Sequence, residues 1–164
     1  MSRSVPRAGI GYDVHRLAPG LPLVLGGVSI AHDRGPVAHS DGDVLAHAIG
    51  DALLGAAGLG DLGTHFPDGD PRWRGVSSLV LLGAIRERLA GRGATVLNVD
   101  ATLIAEAPRI APHVPAMRDA LAGALGVAVG RVSIKATTNE RLGALGREEG
   151  IAALAVAFVE VTEE

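Results

Sequence analysis

The chain has 164 residues, of which 48% are hydrophobic but only 2% aromatic, so one core of ordinary size must be filled by Ala, Val, Leu and Ile. It has no cysteine, which excludes disulfides and thiolate metal sites and leaves His and carboxylate as ligands for any transition metal. A net charge of -3 with acids and bases interspersed gives no footprint for nucleic acid, no apolar run is long enough to cross a membrane, and no apolar leader follows Arg3 and Arg7, so a cytoplasmic protein of one domain, residues 1–164, is expected.

Val5 to His15 predicts an opening strand and Leu23 to Ile30 a second, joined through Pro19-Gly20 as a hairpin. Asp13 and His15 stand two apart at the end of the first strand, so their side chains leave one face and can reach one ion. His39 to Gly58 predicts a helix capped by Ser40 or Asp41. Val44, Leu45, Ala48, Ala52 and Leu53 form its apolar stripe, and Asp43, His47 and Asp51 its other face. With His47 as third ligand, two imidazoles and one carboxylate make the donor set of an open catalytic zinc site whose remaining position takes substrate or water. Asp51, one turn along, could orient that region as a supporting carboxylate. Spacing alone equally allows Asp13 and His15 to be ordinary strand-end residues and His47 a solvated one. His39, Ser40, Asp41 and Asp43 exceed what one cap needs, and a helix N-terminus offers free N–H groups to a phosphate, although Ser40 or Asp41 also serves as a plain cap.

Gly58 to Gly75 lacks periodicity and reads as a long loop, ordered or mobile, of the kind that often serves a site. Within it Gly60-Asp61-Leu62-Gly63 is either a simple turn or a means of presenting Asp61 to substrate hydroxyls. Ser77 or Ser78 caps a helix to about Ala90, with Leu81, Leu82, Ile85 and Leu89 inward and Arg86, Glu87 and Arg92 outward. Thr95 to Ala105 alternates as a strand, Leu97, Val99, Ala101 and Leu103 on one face and Asn98, Asp100 and Thr102 on the other. Pro112 to Gly126 predicts a helix, Val132 to Ala136 a strand, Glu140 to Leu145 a helical turn and Ile151 to Val161 a closing strand. His32, His65 and His113 read as loop or surface residues. The alternation predicts an α+β fold, a single domain with a mixed β-sheet and helices packed on one face.

Of 15 basic residues only Lys135 is a lysine, a compact ammonium in a chain that otherwise uses Arg. The segment Lys135 to Glu140 joins a strand to a helical turn, where amides and hydroxyls can cradle oxyanions. Glu140 could hold a hard cation such as Mg2+ that also bridges a diphosphate. Thr138 capping a turn with Glu140 and Arg141 is the structural alternative.

Gly9-Ile10-Gly11-Tyr12-Asp13-Val14-His15, Ala38-His39-Ser40-Asp41-Gly42-Asp43, Gly60-Asp61-Leu62-Gly63 with Phe66-Pro67-Asp68, Asn98-Val99-Asp100, Ala107-Pro108-Arg109, Lys135-Ala136-Thr137-Thr138 and Gly150-Ile151-Ala152 occur in that order. Together they resemble the 2-C-methyl-D-erythritol 2,4-cyclodiphosphate synthase family, the cyclases of the non-mevalonate isoprenoid pathway, over nearly the whole chain. The resemblance implies Zn2+, one per subunit, on Asp13, His15 and His47, and Mg2+ or Mn2+ on the substrate diphosphate with Glu140. It implies a homotrimer with active sites between subunits. The implied activity is that of a phosphorus-oxygen lyase acting on 4-diphosphocytidyl-2-C-methyl-D-erythritol 2-phosphate. The 2-phosphate attacks the β-phosphorus in line, CMP leaves, and a cyclic diphosphate forms by positioning and charge stabilisation without a protein nucleophile.

By the same resemblance Asp13, His15, His47, Lys135, Thr138 and Glu140 form the catalytic set. His39, Ser40, Asp61 and Gly63, with Asp68, would bind the methylerythritol phosphate, and Thr138 the diphosphate. Ala105, Pro108, Arg109, Ile110 and Ala111, with Lys135, Ala136 and Thr137, would form the cytidine and phosphate pocket of a neighbouring subunit. Ala144 stands where the family usually has an aromatic residue beside an axial cavity able to hold an isoprenoid diphosphate near Arg147, and this departure tells against that ligand here. Two other readings compete: a metal-dependent hydrolase in which water attacks the diphosphate, and a non-catalytic trimeric metal- or nucleotide-binding protein.

Overall fold

In the computed structural model, which describes residues 3–163, the opening strand β1 runs from Arg3–Pro19, longer than its alternation predicts. It is held over nearly all of that length by the closing strand, Arg3 opposite Glu163 through to Arg16 opposite Gly150, so each strand extends the other. The predicted hairpin with Leu23 to Ile30 does not form. That segment folds on itself instead, β2 (Leu23–Leu25) against β3 (Val28–Ile30), because Gly26 and Gly27 supply the positive φ of 57° and 75° that a tight turn requires. β4 (Arg34–Pro36) takes the place beside the end of β1.

The remaining elements are α1 (Val44–Ala57), a short α2 (Leu62–His65), α3 (Ser78–Gly91), β5 (Ala94–Ile104), α4 (Val114–Leu125), β6 (Val132–Thr137), a short α5 (Gly143–Gly146) and β7 (Gly150–Glu163). The main sheet has the order β4-β1-β7-β5-β6. Only β5 and β6 pair in parallel, so β1, β5 and β6 run one way and β4 and β7 the other. This is the α+β fold with a mixed sheet that the pattern predicts. The predicted boundary of the domain at residues 1, 2 and 164 lies outside the described residues.

α1 rests directly on β1 and β7. A Cβ on Gly9 would stand 2.0 Å from the Ala52 carbonyl oxygen and one on Gly11 1.9 Å from that of Ala48, so these glycines let helix and strand backbones touch. Leu45, Ile49 and Leu53 then meet Leu82, Ile85 and Leu89 of α3, Leu103 of β5 and Met117 and Leu121 of α4 in one core. β5 departs from its predicted alternation: a bulge between Val96 and Asn98 turns Val96 inward with Val99, Ala101 and Leu103 and leaves Leu97 half-buried.

The helices cover one face of the sheet. Its other face is apolar yet exposed, with Ile10 73% and Tyr12 53% accessible on β1, opposite Val156 and Leu154 of β7. Among the described residues no helix is long and apolar enough to cross a membrane.

Candidate active site

Asp13 and His15 leave the helix-covered side of β1, the side on which Gly9 and Gly11 meet α1, and His47 leaves the first turn of α1. The close seating of that helix therefore brings the three side chains together. His15 Nε2 lies 2.9 Å and His47 Nδ1 3.0 Å from the same Asp13 oxygen, and the two nitrogens are 3.3 Å apart. Two imidazole nitrogens and a carboxylate oxygen cannot share so small a space as bare lone pairs. Each nitrogen must therefore either carry a proton that it donates to the Asp13 oxygen or, with that oxygen, ligate a metal. Metal-ligand bonds of ~2.0–2.1 Å in tetrahedral geometry set ligand atoms about 3.3 Å apart, so the observed separations fit a zinc-sized ion with little movement. Among the described residues no other cluster of three or more His, Asp or Glu side chains is placed to hold a metal.

The electrostatics agree. Burial by itself raises the Asp13 carboxyl, but hydrogen bonds from His15 and His47 and their charges outweigh it and carry the group well below the usual carboxylate range. For His47, burial opposes the charged form, and the hydrogen bond and charge of Asp13, with the charges of Asp43 and Asp41, prevail and raise it. The site thus favours an anionic Asp13 facing positive charge.

Asp43 is not on an outer face of α1 as predicted. It is fully buried and is the N-cap itself, its carboxylate accepting N–H groups from Ala46 at 3.1 Å, Gly26 at 2.9 Å and Gly27 at 2.6 Å. Burial nonetheless pushes its carboxyl up to about 6. Ser40 and Asp41, the predicted caps, are thereby released for other contacts. Asp41 accepts the Ser78 N–H at 2.8 Å and the Ser78 hydroxyl, while the hydroxyls of Ser40 and Ser78 lie 3.2 Å and 2.9 Å from His47 Nε2. Ser77, not Ser78, caps α3.

A cavity of about 250 Å³ opens on Asp13, His15 and His47 and is lined also by His39, Ser40, Asp51, Gly63 and Asp68. The long loop that walls it is structured: Phe66 packs edge-on against Trp73 at 5.0 Å, and Arg88 lies over its ring. Asp51 accepts the Leu62 N–H at 2.8 Å and so ties α2 to α1; burial, chiefly, raises its carboxyl. Asp61 caps α2, accepting the Thr64 N–H and hydroxyl, each at 2.8 Å, and does not line the cavity.

A second cavity, of about 310 Å³, gathers Ala105, Pro108, Arg109, Ile110, Ala111, Ala136 and Thr137, expected in the nucleotide pocket, together with Thr138, expected at the diphosphate. Both cavities lie toward the same end of the sheet, since Asp13 pairs with Ala153, Ala153 with Leu103, and Leu103 with Ala136. They remain separate within the chain. Lys135 belongs to neither: it stands on the exposed side of β6, ion-paired to Asp100 of β5. Arg147 is exposed and bonded to Glu149 at 2.6 Å. The predicted helical turn at Glu140 is displaced to α5, because Glu140 and Arg141 have φ of 52° and 62°, which no right-handed helix accommodates. Thr138 Oγ1 accepts the Glu140 N–H at 3.2 Å, the local capping contact without the helix.

Sequence reasoning passes over Glu106. Its buried carboxylate accepts the N–H groups of Asn139 and Arg141, at 2.8 Å and 3.3 Å, on either side of Glu140. The one available signal is that Glu106 is the only acid between Ala105 and Ala111.

The family model described as the YgbB family matches residues 6–160. A 2-C-methyl-D-erythritol 2,4-cyclodiphosphate synthase of Symbiobacterium thermophilum is 61% identical over 151 residues, 92% of this chain and 96% of its own. The structure of the bifunctional IspDF from Campylobacter jejuni is similar with a TM-score of 0.93 at 39% identity, covering 97% of this chain and 43% of that one. A 2C-methyl-D-erythritol-2,4-cyclodiphosphate synthase solved in its CDP-bound form has a TM-score of 0.86 at 41% identity, over 93% of this chain and 99% of that one.

Proposed function

The chain belongs to the YgbB family, and from that premise we propose that it is a lyase converting 4-diphosphocytidyl-2-C-methyl-D-erythritol 2-phosphate to 2-C-methyl-D-erythritol 2,4-cyclodiphosphate and CMP in the cytoplasm. The observation that carries this reading is the convergence of Asp13, His15 and His47, within 3.3 Å of one another, on a cavity lined also by His39, Ser40 and Asp68. A family member solved with CDP supports the nucleotide part.

When bound, Zn2+ on Asp13, His15 and His47, and Mg2+ or Mn2+ on the diphosphate with Glu140, would supply the charge neutralisation that two crowded phosphates need in order to approach. The chain's own groups do the placing. Ser40 and His39, beside the triad, hold the methylerythritol phosphate, with Asp68 and Gly63 completing the lining. Thr138 receives the diphosphate next to Glu140, and the Ala105 to Ala111 loop with Ala136 and Thr137 takes the cytidine. Asp61 and Lys135 meet substrate from outside both cavities, and Asp100 keeps the Lys135 ammonium in place until it does. Aligning the 2-phosphate with the β-phosphorus is the catalytic task, and the apolar wall of Phe66 and Trp73 limits competing water.

Separate cavities and an exposed apolar sheet face both support a homotrimer in which the nucleotide cavity of one copy adjoins the metal cavity of the next. Lys135 supports the same arrangement, since it lies on the open face whereas Asp13 and His15 lie beneath the helices. Phosphorus NMR after incubation with substrate and both metals is the test. A cyclic diphosphate and CMP are expected; a linear diphosphate product, which a hydrolase would release, or CDP binding with no turnover overturns the proposal.

A further inference from the structure

His47 has two ring nitrogens with opposite duties, and only the tautomer with its proton on Nε2 leaves Nδ1 a lone pair for the position shared with Asp13 and His15. The surroundings of Nε2 decide that tautomer. Ser78 Oγ is 2.9 Å away, on a side chain only 1% exposed. A serine hydroxyl has one proton, and here it is given to the Asp41 carboxylate, which can only accept. Asp41 is itself fixed by the N–H groups of Ser78, at 2.8 Å, and Asp43, at 3.1 Å. The side of Ser78 Oγ that meets His47 is therefore a lone pair, and an unprotonated Nε2 would face it acceptor to acceptor. Ser40 Oγ, which accepts the Gly42 N–H, is the longer contact at 3.2 Å and its own proton is not fixed by another acceptor, so the direction at Nε2 is set by Ser78 Oγ, closer at 2.9 Å and with its proton committed to Asp41.

We infer that Ser78, locked by Asp41, is a positioning residue that holds the proton of His47 on Nε2 and so presents Nδ1 to the metal. The inference rests on the proposed metal site. It also accounts for a buried hydroxyl at the start of α3 that is not needed as a cap, since Ser77 fills that role. Without Ser78 the ring can turn over or take the other tautomer, which would direct an N–H at Asp13 and exclude a cation from the triad.

The test uses the zinc-loaded protein. Long-range proton–nitrogen NMR of the parent should show His47 protonated at Nε2 and metal-bound at Nδ1, with an Nε2 proton that exchanges slowly with solvent. Ser78→Ala, checked for an unchanged fold by its melting transition, should bind zinc roughly 10- to 100-fold more weakly in chelator competition, the cost typical of removing such an orienting partner, and its Nε2 proton should exchange rapidly. A parent proton found on Nδ1, or parental zinc affinity in Ser78→Ala, overturns this inference while leaving the metal site standing. A parent that binds no zinc, or whose zinc survives His47→Ala, overturns the metal site as well.

Discussion

Glu106 reaches across 33 residues of chain to accept the Asn139 N–H at 2.8 Å, and through this contact a buried carboxylate fixes the loop that bears Glu140. The same oxygen accepts the Arg141 N–H, so Glu140, at a φ of 52°, is clamped from both neighbours in a backbone region that a free glutamate rarely adopts. Replacing Glu106 by Ala leaves these N–H groups without their partner and should cost about 2 kcal/mol of stability. The larger effect is expected in catalysis. If Glu140 works with the second metal, Glu106→Ala should raise the Mg2+ concentration for half-maximal CMP release about tenfold without altering zinc content, and Glu140→Gln should do the same. Glu106→Gln, which keeps an acceptor in place, should lie near the parent. Mg2+ titrations matching the parent's for Glu106→Ala and Glu140→Gln would remove Glu140 from the metal.

The triad makes the effect of zinc on stability depend on pH in a definite direction. In metal-free protein the raised His47 gains from being protonated beside Asp13. That stabilisation is complete below the ordinary histidine range and disappears as pH rises through the raised value. Zinc requires the unprotonated ring and therefore gains as the proton leaves. The shift in melting temperature caused by saturating zinc should thus grow from pH 6 to pH 8, and His47→Ala should abolish both the shift and the stoichiometric zinc found by elemental analysis. A zinc shift that is flat across this range would contradict the assignment of His47 as ligand.

The seating of α1 on β1 can be tested with two glycines of opposite character. Gly11→Ala would place a methyl 1.9 Å from the Ala48 carbonyl oxygen, a backbone atom that cannot rotate away, and should cost at least about 3 kcal/mol. Because the displacement separates His47 from Asp13, whatever protein folds should also hold zinc poorly. Gly55, inside the same helix, has open space where a methyl would stand, with nothing within 4 Å, so Gly55→Ala should stabilise by about 0.5–1 kcal/mol. Chemical denaturation of the three proteins checks the pair.

How much of the fold and the site is legible in the sequence depends on the range of the interaction. The period of a strand puts Asp13 and His15 on one face, and the period of a helix turns Leu81, Leu82, Ile85 and Leu89 inward; both are local and both appear in the structure. The choice of Asp43 over Ser40 or Asp41 as cap is not local, because two of the three N–H groups that hold it, those of Gly26 and Gly27, come from a hairpin met only after folding. The same holds for Ser78, which reads as an ordinary helix start until Asp41 and His47 are brought to its hydroxyl, and for Glu106, whose partners lie more than thirty residues on. The bulge at Val96 and Asn98 defeats a period-2 reading by inserting one residue, which moves the residues before it to the opposite face.

The apolar face of β1 and β7 carries a consequence for assembly. Ile10 stands directly opposite Val156, Tyr12 opposite Leu154 and Ala8 opposite Phe158, and the large side chains among them are 40–73% exposed in a single chain. A sheet with one face packed on helices ordinarily alternates to polar residues on the other, and here it does not. Burial of each such side chain is worth roughly 1.5–3 kcal/mol, enough in aggregate to hold copies of the chain together. Ile10→Asp puts a charge at the centre of this band, while Asp13 and His15 leave β1 on the opposite side. Sedimentation velocity should therefore find a trimer for the parent and a monomer for Ile10→Asp. The monomer should retain one zinc per chain and lose CMP release, since in the proposed trimer it is the nucleotide cavity of one copy that adjoins the triad of another. A trimeric Ile10→Asp would place the interface elsewhere, and a fully active monomer would mean that one chain closes its own site.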